Sequence, residues 1–201
     1  MSLARTLWEE NATLADVALG HPFVRGIADG SLPPERFAAY IAQDAFFLDG
    51  FLRAYALALA HSPTRASLEA FADLIAGARE ELRVHDAYAA RLGIDLTGVV
   101  PSAATRAYSD FLLARASQTV GLACAAMTPC MRLYAYLGQS LVGSDAGAYA
   151  EWVRTYADPG FEELAVQLER LLDTHATDEP ETHKTYRQAM ELEIAFFDDV
   201  L

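Results

Sequence analysis

The chain has 201 residues, of which 53% are hydrophobic and 21% charged, with 12 glycines and 8 prolines. A chain this long buries a full-sized core in one domain, and the composition excludes disordered, collagen-like and low-complexity classes. A formal net charge of -13 repels phosphate backbones and anionic lipid, so neither nucleic acid nor a membrane surface is an expected partner.

Helical periodicity runs from end to end, and alternating strand patterns are missing. The predicted class is all-α, a single domain over 1–201. In chain order the amphipathic stretches predict helices at 2–19, 34–61, 64–92, 102–117, 119–142, 146–157, 159–176 and 180–201, separated by Pro, Gly, Ser and Asp punctuation. The first stretch carries Arg5, Glu9, Glu10 and Asp16, which breaks the apolar centre of a signal peptide. The longest clean apolar run, 54–60, is far short of the roughly 20 residues that span a bilayer. With only Cys124 and Cys130, a disulfide scaffold is not expected and a reducing, cytoplasmic location is.

Three helices place a polar group on an apolar stripe. In 34–61 the stripe Phe37, Ile41, Asp44, Leu48, Tyr55, Leu59 has a carboxylate at its middle. In 119–142 the stripe Ala123, Met127, Cys130, Tyr134, Leu137 brings a thiol and a phenol to one face four residues apart. In 180–201 the stripe Tyr186, Met190, Glu193, Phe197 is broken by Glu193. Taken singly, a cysteine on such a stripe is ordinarily a small core residue, and a lone carboxylate ordinarily pairs with an arginine or caps a helix. Three on different helices suggest a pocket lined by a thiol and two acids. Tyr108 and Tyr156, with Trp152 one turn before the latter, lie on apolar faces where a hydroxyl needs a partner.

Pro129 lies inside 119–142, where it removes one ladder hydrogen bond, frees the Ala125 carbonyl and should bend the helix just before Cys130. Cys124 lies about 240° around the helix from Cys130 and reads as packing. His85, four residues after Glu81, reads as a core histidine held by that acid. There is no Glu-x-x-His, His-Glu-x-x-His, Cys-x-x-Cys, P-loop or dinucleotide glycine fingerprint, so the expected site uses no metal and no cofactor.

The segments GSLPPERFAAYIAQDAFFL (30–48), AYSDFLLARA (107–116), AAMTPCMRLYAYLG (125–138), WVRTY (152–156) and ELEIAFF (191–197) resemble, in that order, the TenA/thiaminase II family. The resemblance implies a haem-oxygenase-like helical bundle, usually a homotetramer, that hydrolyses aminopyrimidine compounds in thiamin salvage. It implies Cys130 as nucleophile, Glu193 as acid/base, Asp44 as the acid that holds the pyrimidine, and Tyr108, Tyr134 and Tyr156 as pocket tyrosines. Phe47 stands where many members have tyrosine, so a ring stack survives without its hydroxyl. Arg132 stands where tryptophan is frequent, and as an i+2 neighbour it points away from the Cys130 face, toward packing or an interface. The competing readings are a metal- or cofactor-dependent oxidoreductase on the same fold and a regulatory protein that binds a pyrimidine without turning it over.

Overall fold

The computed structural model describes residues 1–96 and 98–201, without the side chains of His85 and Leu92. The expected pairing of His85 with Glu81 therefore lies outside the described residues. Ten α-helices and one short 3₁₀ turn are described, with no strand among them.

The N-terminal stretch departs from expectation. The helix predicted over 2–19 is two helices, α1 (Leu3–Glu10) and α2 (Ala12–Gly20), because the chain turns at Asn11 (φ -107°, ψ 11°). The Asn11 side-chain amide donates to the Leu7 carbonyl at 2.8 Å. This is the local competition with the ladder for which asparagine is known. A further helix, α3 (Pro22–Ala28), occupies a segment read only as punctuation. Proline at its first position needs no ladder donor, and the His21 ring accepts from the Phe23 amide at 3.2 Å as a cap. The other His21 nitrogen lies 3.0 Å from Asp198, fixing α3 against the C-terminal helix.

The remaining elements follow the predicted order: α4 (Pro34–His61), α5 (Arg65–Leu92), α6 (Ala103–Ala116), α7 (Val120–Ser140), α8 (Ala150–Tyr156), α9 (Pro159–His175) and α10 (Pro180–Asp199). The stretch 146–157 divides into the 3₁₀ turn Gly147–Tyr149 and α8. Hydroxyl and carboxylate caps start several helices: Thr64 for α5, Ser102 for α6, Thr119 for α7 and Asp158 for α9 each accept from an amide of the first turn. Gly93, at φ 67°, supplies the left-handed residue that closes α5.

The centre of the bundle is α7, which packs against α4, α6, α8, α9 and α10. It is the one described helix long and apolar enough to cross a membrane, and 78% of its most apolar window is buried against its neighbours. Pro129 does not end it. Gly138 lets α8 come close: a Cβ there would stand 2.4 Å from the Tyr156 carbonyl carbon. That approach sets the position of Tyr156 relative to the Cys130 face.

Candidate active site

Five of the seven residues singled out in the sequence line one small chamber between α4, α5, α7, α8 and α9: Asp44, Phe47, Cys130, Tyr134 and Tyr156. The other two join it from behind the thiol. Glu193, 1% exposed, lies close enough to Cys130 for each to shift the other's ionisation. The Tyr108 hydroxyl donates to Glu193 Oε1 at 2.6 Å. A thiol from α7, a carboxylate from α10 and a phenol from α6 thus form one chain of contacts that ends at the chamber.

The supporting contacts explain why these groups hold their places. On α4, Asp44 is 4% exposed and Gln43 beside it fastens α4 to the start of α6, accepting from the Ser102 amide at 2.9 Å and the Thr105 hydroxyl at 2.8 Å. The Phe47 ring lies 4.7 Å from that of Tyr108 and 5.9 Å from that of Phe196. Tyr134 meets Tyr156 edge to face at 4.7 Å, a favoured aromatic arrangement. Arg132 lies on the opposite side of α7, holding Glu162 and Glu169 of α9 at 2.8 and 2.7 Å. It contributes to packing within the chain.

Sequence reasoning missed two residues. Glu81 of α5 accepts a hydrogen bond from the Tyr156 hydroxyl at 2.7 Å and lines the chamber. Tyr40, one turn before Asp44 and fully buried, accepts from the Trp152 indole at 3.2 Å. Its signal was present, since a tyrosine on the Asp44 stripe needs a partner. Glu81 gave no such signal, because nothing in one helix reveals what its exposed-looking face meets.

The electrostatics of the chamber are lopsided. None of the described residues that line it is a cation. Removal from water pushes the Glu193 carboxyl from 4.5 up to about 7, against the lowering effect of the Tyr108 hydroxyl and the Cys130 thiol, with the nearby Asp44 raising it further. Burial pushes the Cys130 thiol well above its usual value, and Glu193, Glu81 and Asp44 add to this. A preformed thiolate is therefore not what this site holds. Sulfur chemistry at this position would require the thiol first to give up its proton, and the Glu193 carboxyl is its nearest acid–base neighbour by electrostatic effect. Cys124, 0% exposed, is likewise pushed up by burial and lies in the core.

The chamber measures about 10 Å³, room for about one water. A larger cleft of about 670 Å³ adjoins it, and Phe51, Glu81, Met131 and Phe161 line both. The chemical groups belong to the small space and the volume to the large one. Among the described residues no three His, Cys, Asp or Glu side chains come together closely enough to hold a metal ion.

A family model described as TENA/THI-4/PQQC matches residues 6–201. An aminopyrimidine aminohydrolase of Halalkalibacterium halodurans is 36% identical over 186 residues, covering 88% of this chain and 83% of that protein. The crystal structure of a TenA family transcription regulator from Silicibacter sp. TM1040 superposes with a TM-score of 0.91 at 26% identity, covering 99% and 96% of the two chains. A domain with a heme oxygenase-like fold from Shewanella denitrificans has a TM-score of 0.77 at 14% identity over 98% and 90%, a likeness of fold alone.

Proposed function

The chain belongs to the TENA/THI-4/PQQC family, and from that premise we propose that it is an aminopyrimidine aminohydrolase of thiamin salvage in which Cys130 is the nucleophile and Glu193 the acid. The observation that carries the reading is the contact chain from Tyr108 through Glu193 to Cys130, opening on a chamber that also holds Asp44. A relative 36% identical carries the same activity in its name.

An aminopyrimidine presents ring nitrogens and an exocyclic amine, an edge that carboxyl groups meet with paired hydrogen bonds. Asp44 holds one side of that edge and Glu193 the other, while Phe47 and Tyr134 stack against the ring. Glu193, protonated near neutrality, gives its proton to a ring nitrogen. The Cys130 sulfur adds to the ring carbon beside the substituted position, and its own proton passes to the carboxylate that Glu193 has become. The bond from the ring's methylene to the leaving nitrogen then breaks, with the electron pair staying on that nitrogen. Water adds to the methylene carbon and releases one proton, and the carbon–sulfur bond breaks as the ring proton passes to the sulfur by way of Glu193, returning the thiol and the protonated carboxyl. The net change is replacement of an amine or a thiazolium by a hydroxyl.

The resemblance also supports a homotetramer acting in the cytoplasm as one domain; light scattering that gives a monomer would remove the tetramer. The test of the reaction is release of hydroxymethylpyrimidine from an aminomethylpyrimidine or thiamin. The wild type turns over, and Cys130→Ser falls by at least about a thousandfold. Full turnover by Cys130→Ser would refute the nucleophile, and no release by the wild type would refute the reaction.

A further inference from the structure

Behind Asp44, one turn back on α4, stands Tyr40, 0% exposed. Its oxygen accepts from the Trp152 indole of α8 at 3.2 Å. Its ring packs against Phe23 at 4.9 Å and Phe37 at 5.9 Å, with Phe196 edge-on at 6.0 Å. Ring and oxygen are therefore held in place, and the phenol still has one proton to give. A buried hydroxyl needs a group to give it to. Four residues on, on the same face of α4, is Asp44, which lines the chamber. The two are close enough for the charge of Asp44 to add to the effect of burial, which pushes the Tyr40 phenol well above its ordinary value. Tyr40 therefore stays protonated at neutral pH and keeps its donor. The hydroxyl of Tyr156, one turn after Trp152 on α8, is given to Glu81 instead.

We infer that Tyr40 is a positioning residue for the reaction: locked by the Trp152 indole, its hydroxyl aims the Asp44 carboxyl group at the nitrogen edge of the bound ring. The inference rests on the hydrolase reading above. An N–H bond to the phenol oxygen polarises the phenol and makes it the better donor, so α8 controls the acid of α4 without touching the substrate edge itself. A carboxyl group that swings freely holds the ring less tightly and places its carbon less well against the Cys130 sulfur. Both effects appear as a loss in kcat/KM accompanied by a rise in KM.

The test is a double-mutant cycle on hydroxymethylpyrimidine release by the wild type, Tyr40→Phe, Asp44→Asn and the double variant. Tyr40→Phe raises KM and lowers kcat/KM by about tenfold. In the Asp44→Asn background the acid to be aimed is already gone, and Tyr40→Phe costs less than about twofold more. Trp152→Phe leaves the phenol in place but unlocked; it lowers kcat/KM about threefold, again only where Asp44 is present. A phenol that served packing alone would lower the fraction of active protein, so that kcat fell at constant KM and by the same factor in either background. That pattern, or unchanged kinetics in Tyr40→Phe, overturns the inference and leaves the hydrolase reading standing. If Tyr40→Phe does not fold, Trp152→Phe decides: no loss, or an equal loss with and without Asp44, overturns it. If Asp44→Asn is too slow to measure, the KM of Tyr40→Phe decides alone, and an unchanged KM overturns it. No turnover by the wild type ends the reading and the inference together.

Discussion

On one face of α7 Arg132 is 14% exposed and grips Glu162 and Glu169 of α9. Two residues earlier, on another face, Cys130 meets Glu193, Asp44 and Glu81 with no cation among the described lining residues. The same side-chain type meets an arginine on one side of the helix and, at Glu193, a phenol on the other. Where the arginine is present, the carboxylates serve as fasteners between helices. Where it is absent, burial drives a carboxyl to about 7, the value at which it gives and takes protons most readily near neutral pH.

The contrast is sharpest when each side is broken separately. Glu193→Gln removes the proton donor and keeps the shape, so turnover of an aminopyrimidine falls by about 10² to 10⁴, measured as hydroxymethylpyrimidine release. The same residue makes the fold sensitive to pH. Its folded-state pKa of about 7 lies above the usual 4.5, so its contribution is fully present below about 4.5 and is lost as pH rises to about 7. Over that window the wild type loses about 3 kcal/mol relative to Glu193→Gln, which denaturant titrations of both at pH 4.5 and pH 8 would register. A smaller effect is expected across the helix. Arg132→Ala leaves two half-buried carboxylates without their partner and costs about 2 kcal/mol, a fall in Tm of roughly 4 to 8 °C for a chain of this size, with kcat unchanged. A loss of kcat in Arg132→Ala as large as in Glu193→Gln would erase the distinction between the faces.

Much of this was legible in the sequence, for identifiable reasons. Asp44, Cys130 and Glu193 each interrupt an apolar stripe of period 3.6, and such an interruption is visible within one helix. Arg132 was readable as pointing away from Cys130, but not as the clamp on Glu162 and Glu169, since that depends on where α9 packs. The break at Asn11 and the helix at Pro22–Ala28 were not legible either: both are decided by single side-chain bonds, from Asn11 to Leu7 and from the Phe23 amide to His21. Glu81 escaped because its meaning comes from α8, whose Tyr156 it holds, and from two cavities that no single helix encloses. Its sequence neighbour His85 drew the reading toward a local pair. Pro129 signalled a disturbance of the ladder just before Cys130, but not that burial and the neighbouring acids push the Cys130 thiol up.

The titration of Glu193 itself bears most directly on the claim that a buried carboxyl drives this site. Infrared difference spectra of the wild type against Glu193→Gln across pH isolate the one carboxyl stretch the two proteins do not share. A midpoint near 7, matched by loss of kcat above that pH, is the predicted result. A midpoint at the ordinary carboxylate value of 4.5 would mean that Glu193 is ionised at neutral pH, and that the acid in this reaction is some other group.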